Sequence, residues 1–346
     1  MESSAVVERF GLGSDVGEWL AEAERLPDPG WPLRVPGGVE AAAVLDMFGL
    51  ADRDRAEVEE LWPGDAGGGC GGPVGEGSPE LWHVVECMYR RLWADVELPV
   101  GRFRAWPKLV EVGDRRVRVA SLLAFAAMVP AQLAVQARWG VPRSVTVATL
   151  ADVGVQVARS RRMWGWLSLE TSGWVAAQFR GRLFWVGALQ LEPARLVCEA
   201  GVEWYGEREA AGLGGGMGVG DPVLRLHIPS GGLDPVGVDE SLGRARSFAR
   251  ECLGLDPVVA TCTSWLLDPQ WGEVLGEGSN IVAFQRRFTL VGEGRAGEAD
   301  VFRFVFGMSE VDVGRAPCGT RLERAVVDRL VAGGRWWVRT GWVRLP

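Results

Sequence analysis

The sequence predicts an α+β chain, mixed α/β in its later part, with a helical N-terminal domain over residues 1–160 and a sheet-containing domain over residues 161–346. Three observations carry this reading. Apolar positions recur at helical spacing through the first part of the chain. From about Trp164 that period gives way to short runs rich in Trp, Phe, Val and Leu. Beyond residue 220, strand, tight glycine loop and helix follow one another in order.

In the first domain, helices are expected over VEAAAVLDMFGL (39–50), ADRDRAEVEELW (51–62) and SPELWHVVECMYRRLW (78–93), the last opened by Ser78 as N-cap and Pro79 in the first turn. The glycine-dense PGDAGGGCGGPVGEGSP between the last two reads as a surface excursion. Two more helices follow, over 118–138 with a break near Pro130 and over 144–160. The uncharged stretch from Ala120 to Ala137 approaches membrane-spanning length. Its Ser121, Pro130, Gln132 and Gln136 and its alanine content make it a buried helix instead.

The second domain begins with LSLETSGWVAAQFRGRLFWVGALQLEP, expected as antiparallel strands around Arg180-Gly181-Arg182. After the glycine-rich run 212–221, VLRLHIPSGG gives a strand and a loop, and Val238, Leu242, Ala245, Phe248 and Ala249 mark a helix. VVATCTSWLL is a buried strand, and Asp268-Pro269 opens a short helix over QWGEVL. FQRRFTLV and DVFRFVFG alternate with period two and are expected to pair as a hairpin. Thr320 and Glu323 form a capping box for the last helix, which stops at Gly333-Gly334 before the strand RWWVRTGWVRL.

Composition removes several functions. The net charge is −8 and no basic run exists, which excludes a nucleic-acid backbone as partner. Residues 1–150 carry net −7 and residues 151–346 net −1, favouring the second part as host of an anionic ligand. Lys108 is the sole lysine, so P-loop and Schiff-base chemistry drop out. Two histidines, His83 and His227, and six cysteines without a C-x-x-C pair give no metal site. The acidic start of the chain has no signal-peptide core, and a cytoplasmic protein with reduced thiols is expected.

Two places can carry chemistry. Leu226 to Gly232 joins a strand to a helix through glycines, whose backbone N–H groups can converge on an anion at a helix start. An ordinary βα turn has the same pattern. His227, at the end of that strand, is one of only two imidazoles available for proton transfer near neutral pH. Cys262 and Ser264 end the next strand, where a reactive group can be presented, while Asp268 reads as a helix cap. The only G-x-G-x-x-G, Gly292 to Gly297, opens no helix after a strand and is a turn between two strands.

In this order, LHIPSGGLDP, CTSWLLDPQ, SNIVAFQRRF, RAVVDRL and GGRWWVRTGWVRL resemble the GNAT-like two-domain acyltransferases. Within these the chain is similar to the long-chain fatty N-acyltransferases of teicoplanin-type glycopeptide-antibiotic pathways. The resemblance implies a central mixed, mostly antiparallel sheet, acyl-CoA as donor, an aminosugar-bearing glycopeptide as acceptor and no metal. It assigns the CoA pyrophosphate to Ile228, Pro229, Ser230, Gly231 and Gly232, the general base to His227, and proton donation to the leaving thiolate to Ser264, Cys262 or Tyr205. Trp164, Trp166, Trp174, Trp185, Trp204 and Trp265 are expected around an acyl channel. There are two departures. The usual Arg/Gln pyrophosphate signature is missing, and Thr263 stands where related sequences carry histidine. Transfer to another amine, and a non-catalytic acyl-CoA-binding module, remain open alternatives.

Overall fold

The computed structural model describes residues 3–62, 78–96, 104–196, 217–218, 220–231 and 233–346. It divides into two units, Met1–Leu183 and Phe184–Pro346.

The first unit is helical. Its elements are α1 (Ser3–Phe10), α2 (Ser14–Glu24), α3 (Gly38–Phe48), α4 (Asp52–Leu61), α5 (Pro79–Asp95), α6 (Arg115–Arg118), α7 (Ala120–Arg138), α8 (Arg143–Trp164) and α9 (Ser172–Phe179). Ser78 caps α5 as expected, its hydroxyl accepting from the Leu81 N–H at 3.3 Å. α7 meets the length and apolarity of a membrane span but is mostly buried inside the unit. It runs unbroken through Pro130, contrary to the expected break. The proline ring sits on an exposed position, and burial of fourteen other residues of α7 outweighs the one lost backbone hydrogen bond. Phe125 of α7 anchors the core, stacked between Trp106 at 5.3 Å and Phe179 at 5.0 Å.

α9 corrects the expected strand. Val175, Ala176 and Phe179 fall on one helical face and are buried, and the residues between them include good helix formers. The first strand starts only at Phe184, and the reversal lies at Gly187-Ala188 rather than at Arg180-Gly181-Arg182.

The second unit is built on a six-stranded sheet: β1 (Phe184–Val186), β2 (Leu189–Arg195), β3 (Pro222–His227), β4 (Val259–Ser264), β5 (Thr289–Ala296) and β6 (Trp337–Arg344), in the order β1-β2-β3-β4-β6-β5. Among the described residues only β3 and β4 pair in parallel, so the sheet is mixed and mostly antiparallel. The strand connection between them carries α10 (Pro235–Leu253). α11 (Trp271–Leu275) and α12 (Asn280–Gln285) follow β4, α13 (Glu298–Val301) runs into a π-turn at Phe302–Phe306, and α14 (Arg321–Val331) precedes β6. The capping box on α14 is present, with Thr320 Oγ1 accepting from Glu323 N and Glu323 Oε2 from Thr320 N.

The expected hairpin between FQRRFTLV and DVFRFVFG does not form. A period-two strand would put Phe302, Phe304 and Phe306 on one face. The helical turn instead buries Phe302 and Phe306 against each other, ring centroids 4.9 Å apart, and leaves Phe304 exposed. β5 pairs with β6.

Candidate functional site

Alternation along the strands sorts the sheet into two faces. Leu191 and Leu226, a cross-strand pair, share one face with Phe184, whose ring meets Phe248 of α10 at 5.2 Å. The opposite face carries polar side chains in register: Gln190 opposite His227, Glu192 opposite Arg225, Arg225 beside Thr261, and Thr263 opposite Thr340. This polarity is confined to the end of the sheet where β3 and β4 finish. Towards the other end Ala194, Val223 and Val259 pack with Leu196 and Met217 in an apolar cluster.

His227 Nε2 lies 2.8 Å from Glu192 Oε2, both side chains being largely buried. A carboxylate only accepts, so Nε2 carries the shared proton and Nδ1 is the basic nitrogen. Arg225 Nη1 is 3.7 Å from the other oxygen of Glu192. The result is an imidazole oriented by a carboxylate that is itself held by a guanidinium, the arrangement by which a base is aimed at a substrate proton.

β3 and β4 pair over two positions only, Leu224 with Ala260 and Arg225 with Thr261. Beyond them β3 stays on β2 as far as His227, and β4 stays on β6 as far as Ser264. The two central strands therefore part at their carboxyl ends, where open sheets receive ligands. Ile228, Pro229, Ser230 and Gly231 continue from the parted end of β3, with Gly231 at φ +132°; Gly232 lies outside the described residues. The helix start beyond is partly taken. Asp234 caps α10 by accepting from Gly237 N at 2.8 Å, and Pro235 has no N–H, so Val236 supplies the remaining first-turn amide. Arg287 clamps this turn, donating to both carboxylate oxygens of Asp239 at 2.6 and 2.8 Å and to Pro235 O at 3.0 Å. That pairing holds the Asp239 carboxyl below its usual value.

Strand parity separates the other candidates from His227. Cys262 and Ser264 alternate with Thr261 and Thr263 and so lie on the α10 face, away from the imidazole. Burial pushes the Cys262 thiol up to about 12. Ser264 Oγ accepts from Leu266 N at 3.1 Å, capping the 3-10 turn Trp265–Leu267. Thr263 is on the polar face, its hydroxyl 2.9 Å from that of Thr340. Tyr205 and Trp204 lie outside the described residues.

The tryptophans expected around a channel fall in both units. Trp164 and Trp166 sit 6.2 Å apart in the first, where Trp174 donates its indole N–H to Asp152 at 3.0 Å. In the second, Trp185 bonds Gly187 O, and Trp265 packs edge-on to Trp271, itself stacked on Trp336. Sequence reasoning missed Glu192 and Arg225, whose only advance signal was a charged residue between apolar neighbours, Leu191 and Pro193 in one strand and Leu224 and Leu226 in the other.

A mixed sheet whose two parallel central strands part over a βα loop, with a carboxylate-held imidazole at the parting, is the architecture of a GNAT-like acyltransferase domain. Residues 39–181 match an N-acyltransferase N-terminal domain and residues 183–343 a GNAT-like C-terminal domain. Solved acyltransferase structures match over 100% of both chains at 30% identity. One, a variant in complex with octanoyl-CoA, has a TM-score of 0.84; another, in complex with decanoyl-CoA and teicoplanin, has 0.83. No curated protein sequence matches the chain significantly. The chain belongs to the family of two-domain acyltransferases that join this N-acyltransferase N-terminal domain to a GNAT-like C-terminal domain.

Proposed function

We propose that the protein is an acyl-CoA-dependent N-acyltransferase that moves a long-chain fatty acyl group onto the amine of an aminosugar carried by a glycopeptide pseudoaglycone. The observation that carries this is the whole-length likeness to acyltransferases solved with decanoyl-CoA and with teicoplanin. The parted strands and the loop after His227 fit a thioester donor. Backbone groups freed from the β3–β4 ladder can line a pantetheine arm, and the glycine-containing loop after His227, leading to the Val236 amide at the start of α10, supports a contact with its phosphates.

In this reading His227 Nδ1 accepts the proton that the amine gives up as its nitrogen bonds the thioester carbon. The tetrahedral centre then expels the thiolate, which is protonated to CoA thiol, and an amide remains. Glu192 positions the imidazole and balances its charge. A thiol held near 12 does not protonate a CoA thiolate, which is the weaker base, so Cys262 serves the sheet, as does Ser264 by its cap. Dependence on acyl-CoA as donor supports a cytoplasmic setting.

The test is incubation of the full chain with decanoyl-CoA and an aminoglucosyl pseudoaglycone. Free CoA thiol and an acceptor heavier by one decanoyl group are expected in equal amounts. Acyl-CoA binding without thiol release, across several amine acceptors, would instead make the protein a binding module.

A further inference from the structure

Thr261 is fully buried, and its hydroxyl has no hydrogen-bond partner among the described residues. A hydroxyl in that state pays its desolvation with nothing returned, and valine would fill the same space without that cost. Thr263, two residues on and exposed, has a partner by contrast, its hydroxyl pairing with that of Thr340. Thr261 also occupies a particular place. It is the last residue of β4 still paired to β3, at the closed end of the parting, on the same face as Arg225, Glu192 and His227.

The spacing matches an acyl-transfer centre. His227 stands two residues beyond Arg225, the strand neighbour of Thr261. Two residues of rise, about 6.6 Å, across one strand spacing of about 4.8 Å put the two backbones at least about 8 Å apart, the strands parting between them. An amine nitrogen in contact with the base, and the thioester C=O that it attacks, span that gap when a hydroxyl donates to the carbonyl oxygen from the far side.

Resting on the function proposed above, we infer that Thr261 Oγ1, closed off in the free protein, becomes the hydrogen-bond donor to the thioester carbonyl oxygen when the acyl-CoA arm enters the parting of β3 and β4, and is hence a catalytic residue. As the amine nitrogen bonds the carbonyl carbon, the carbonyl π pair moves to oxygen and the hydroxyl bond strengthens. When the C–S bond breaks, that pair returns and the thiolate leaves. The hydroxyl keeps its own proton throughout.

The experiment compares full-length wild type, Thr261→Val and Thr261→Ser. Thr261→Val is expected to melt no lower than wild type, because the hydroxyl has no internal partner, and to bind CoA, which has no carbonyl at this position, with unchanged affinity. Its kcat/KM with decanoyl-CoA should fall about a hundredfold, the size of effect one oxyanion donor supplies, and Thr261→Ser should recover most of the loss. A decanoyl-CoA analogue with CH2 in place of sulfur, which keeps the carbonyl, should bind Thr261→Val more weakly, while the decyl thioether, which lacks it, should bind both forms equally. Wild-type kcat/KM in Thr261→Val, or a lower melting temperature for it that Thr261→Ser does not restore, overturns the inference and leaves the proposed function standing. An inactive wild type removes both.

Discussion

An imidazole with one nitrogen committed to a carboxylate has a fixed tautomer and a favoured plane, and both properties vanish together when the carboxylate is removed. His227→Ala should therefore lower kcat/KM by about 10²- to 10⁴-fold, the range of a general base, and Glu192→Gln by about tenfold or more. The double variant should be no slower than His227→Ala alone, because Glu192 acts only through the ring. Multiplying losses in steady-state assays would give Glu192 an independent task and break the dyad. His227 itself is legible in the sequence, since LHIPSGGLDP writes a strand end, a loop and a helix start in ten residues. Glu192 is not. It is 35 residues away, and it meets the ring only because β2 and β3 pair with Gln190 opposite His227. One residue of slip would send it to the α10 face, and nothing local in LQLEP sets that register. Cys262 and Ser264 show the same limit in reverse: adjacent in sequence to the parting, they are turned from it by parity alone.

At the scale of elements, helices approach one another as closely as their smallest residues permit. A Cβ added to Gly154 in α8 would lie 2.1 Å from Gly49 O and 2.5 Å from its carbonyl carbon, at the end of α3. Both atoms are backbone, so α3 and α8 must separate to admit it. Gly154→Ala should cost about 2 kcal/mol or more of stability, at the upper end of overpacking. Gly243→Ala makes the same change at an exposed position within α10, where a Cβ meets nothing within 4 Å. It should instead gain about 0.5–1 kcal/mol from helix propensity and lost backbone freedom. Urea unfolding of the two variants checks the opposite signs. These cases also mark what pattern reading can reach. Caps such as Ser78 and the Thr320–Glu323 box depend on neighbours in sequence and are legible. The helical turn at Phe302–Phe306 and α9 are not, because rows of apolar residues satisfy period two and period 3.6 alike until tertiary burial chooses between them.

For the whole molecule the relevant quantity is charge. A cut at residue 150 makes the later part of the chain look nearly neutral, but the structural boundary removes that contrast. The unit Phe184–Pro346 carries 17 basic and 21 acidic side chains, net −4, which leaves −4 of the total −8 for the first unit. An acyl-CoA, with about four negative charges, thus approaches a protein of its own sign and is attracted only locally, by amides and by arginines already engaged with carboxylates such as Asp239. The long-range repulsion is screened beyond about 10 Å at 0.1 M salt but reaches about 30 Å at 0.01 M. Short contacts to the phosphates are screened far less. The association rate of decanoyl-CoA, followed by stopped-flow tryptophan fluorescence, should therefore rise severalfold between 0.01 and 0.15 M salt, with the dissociation rate changing little. A rate that falls steeply over the same range would reveal a cationic funnel at the donor site, strong enough to override the field of the molecule as a whole.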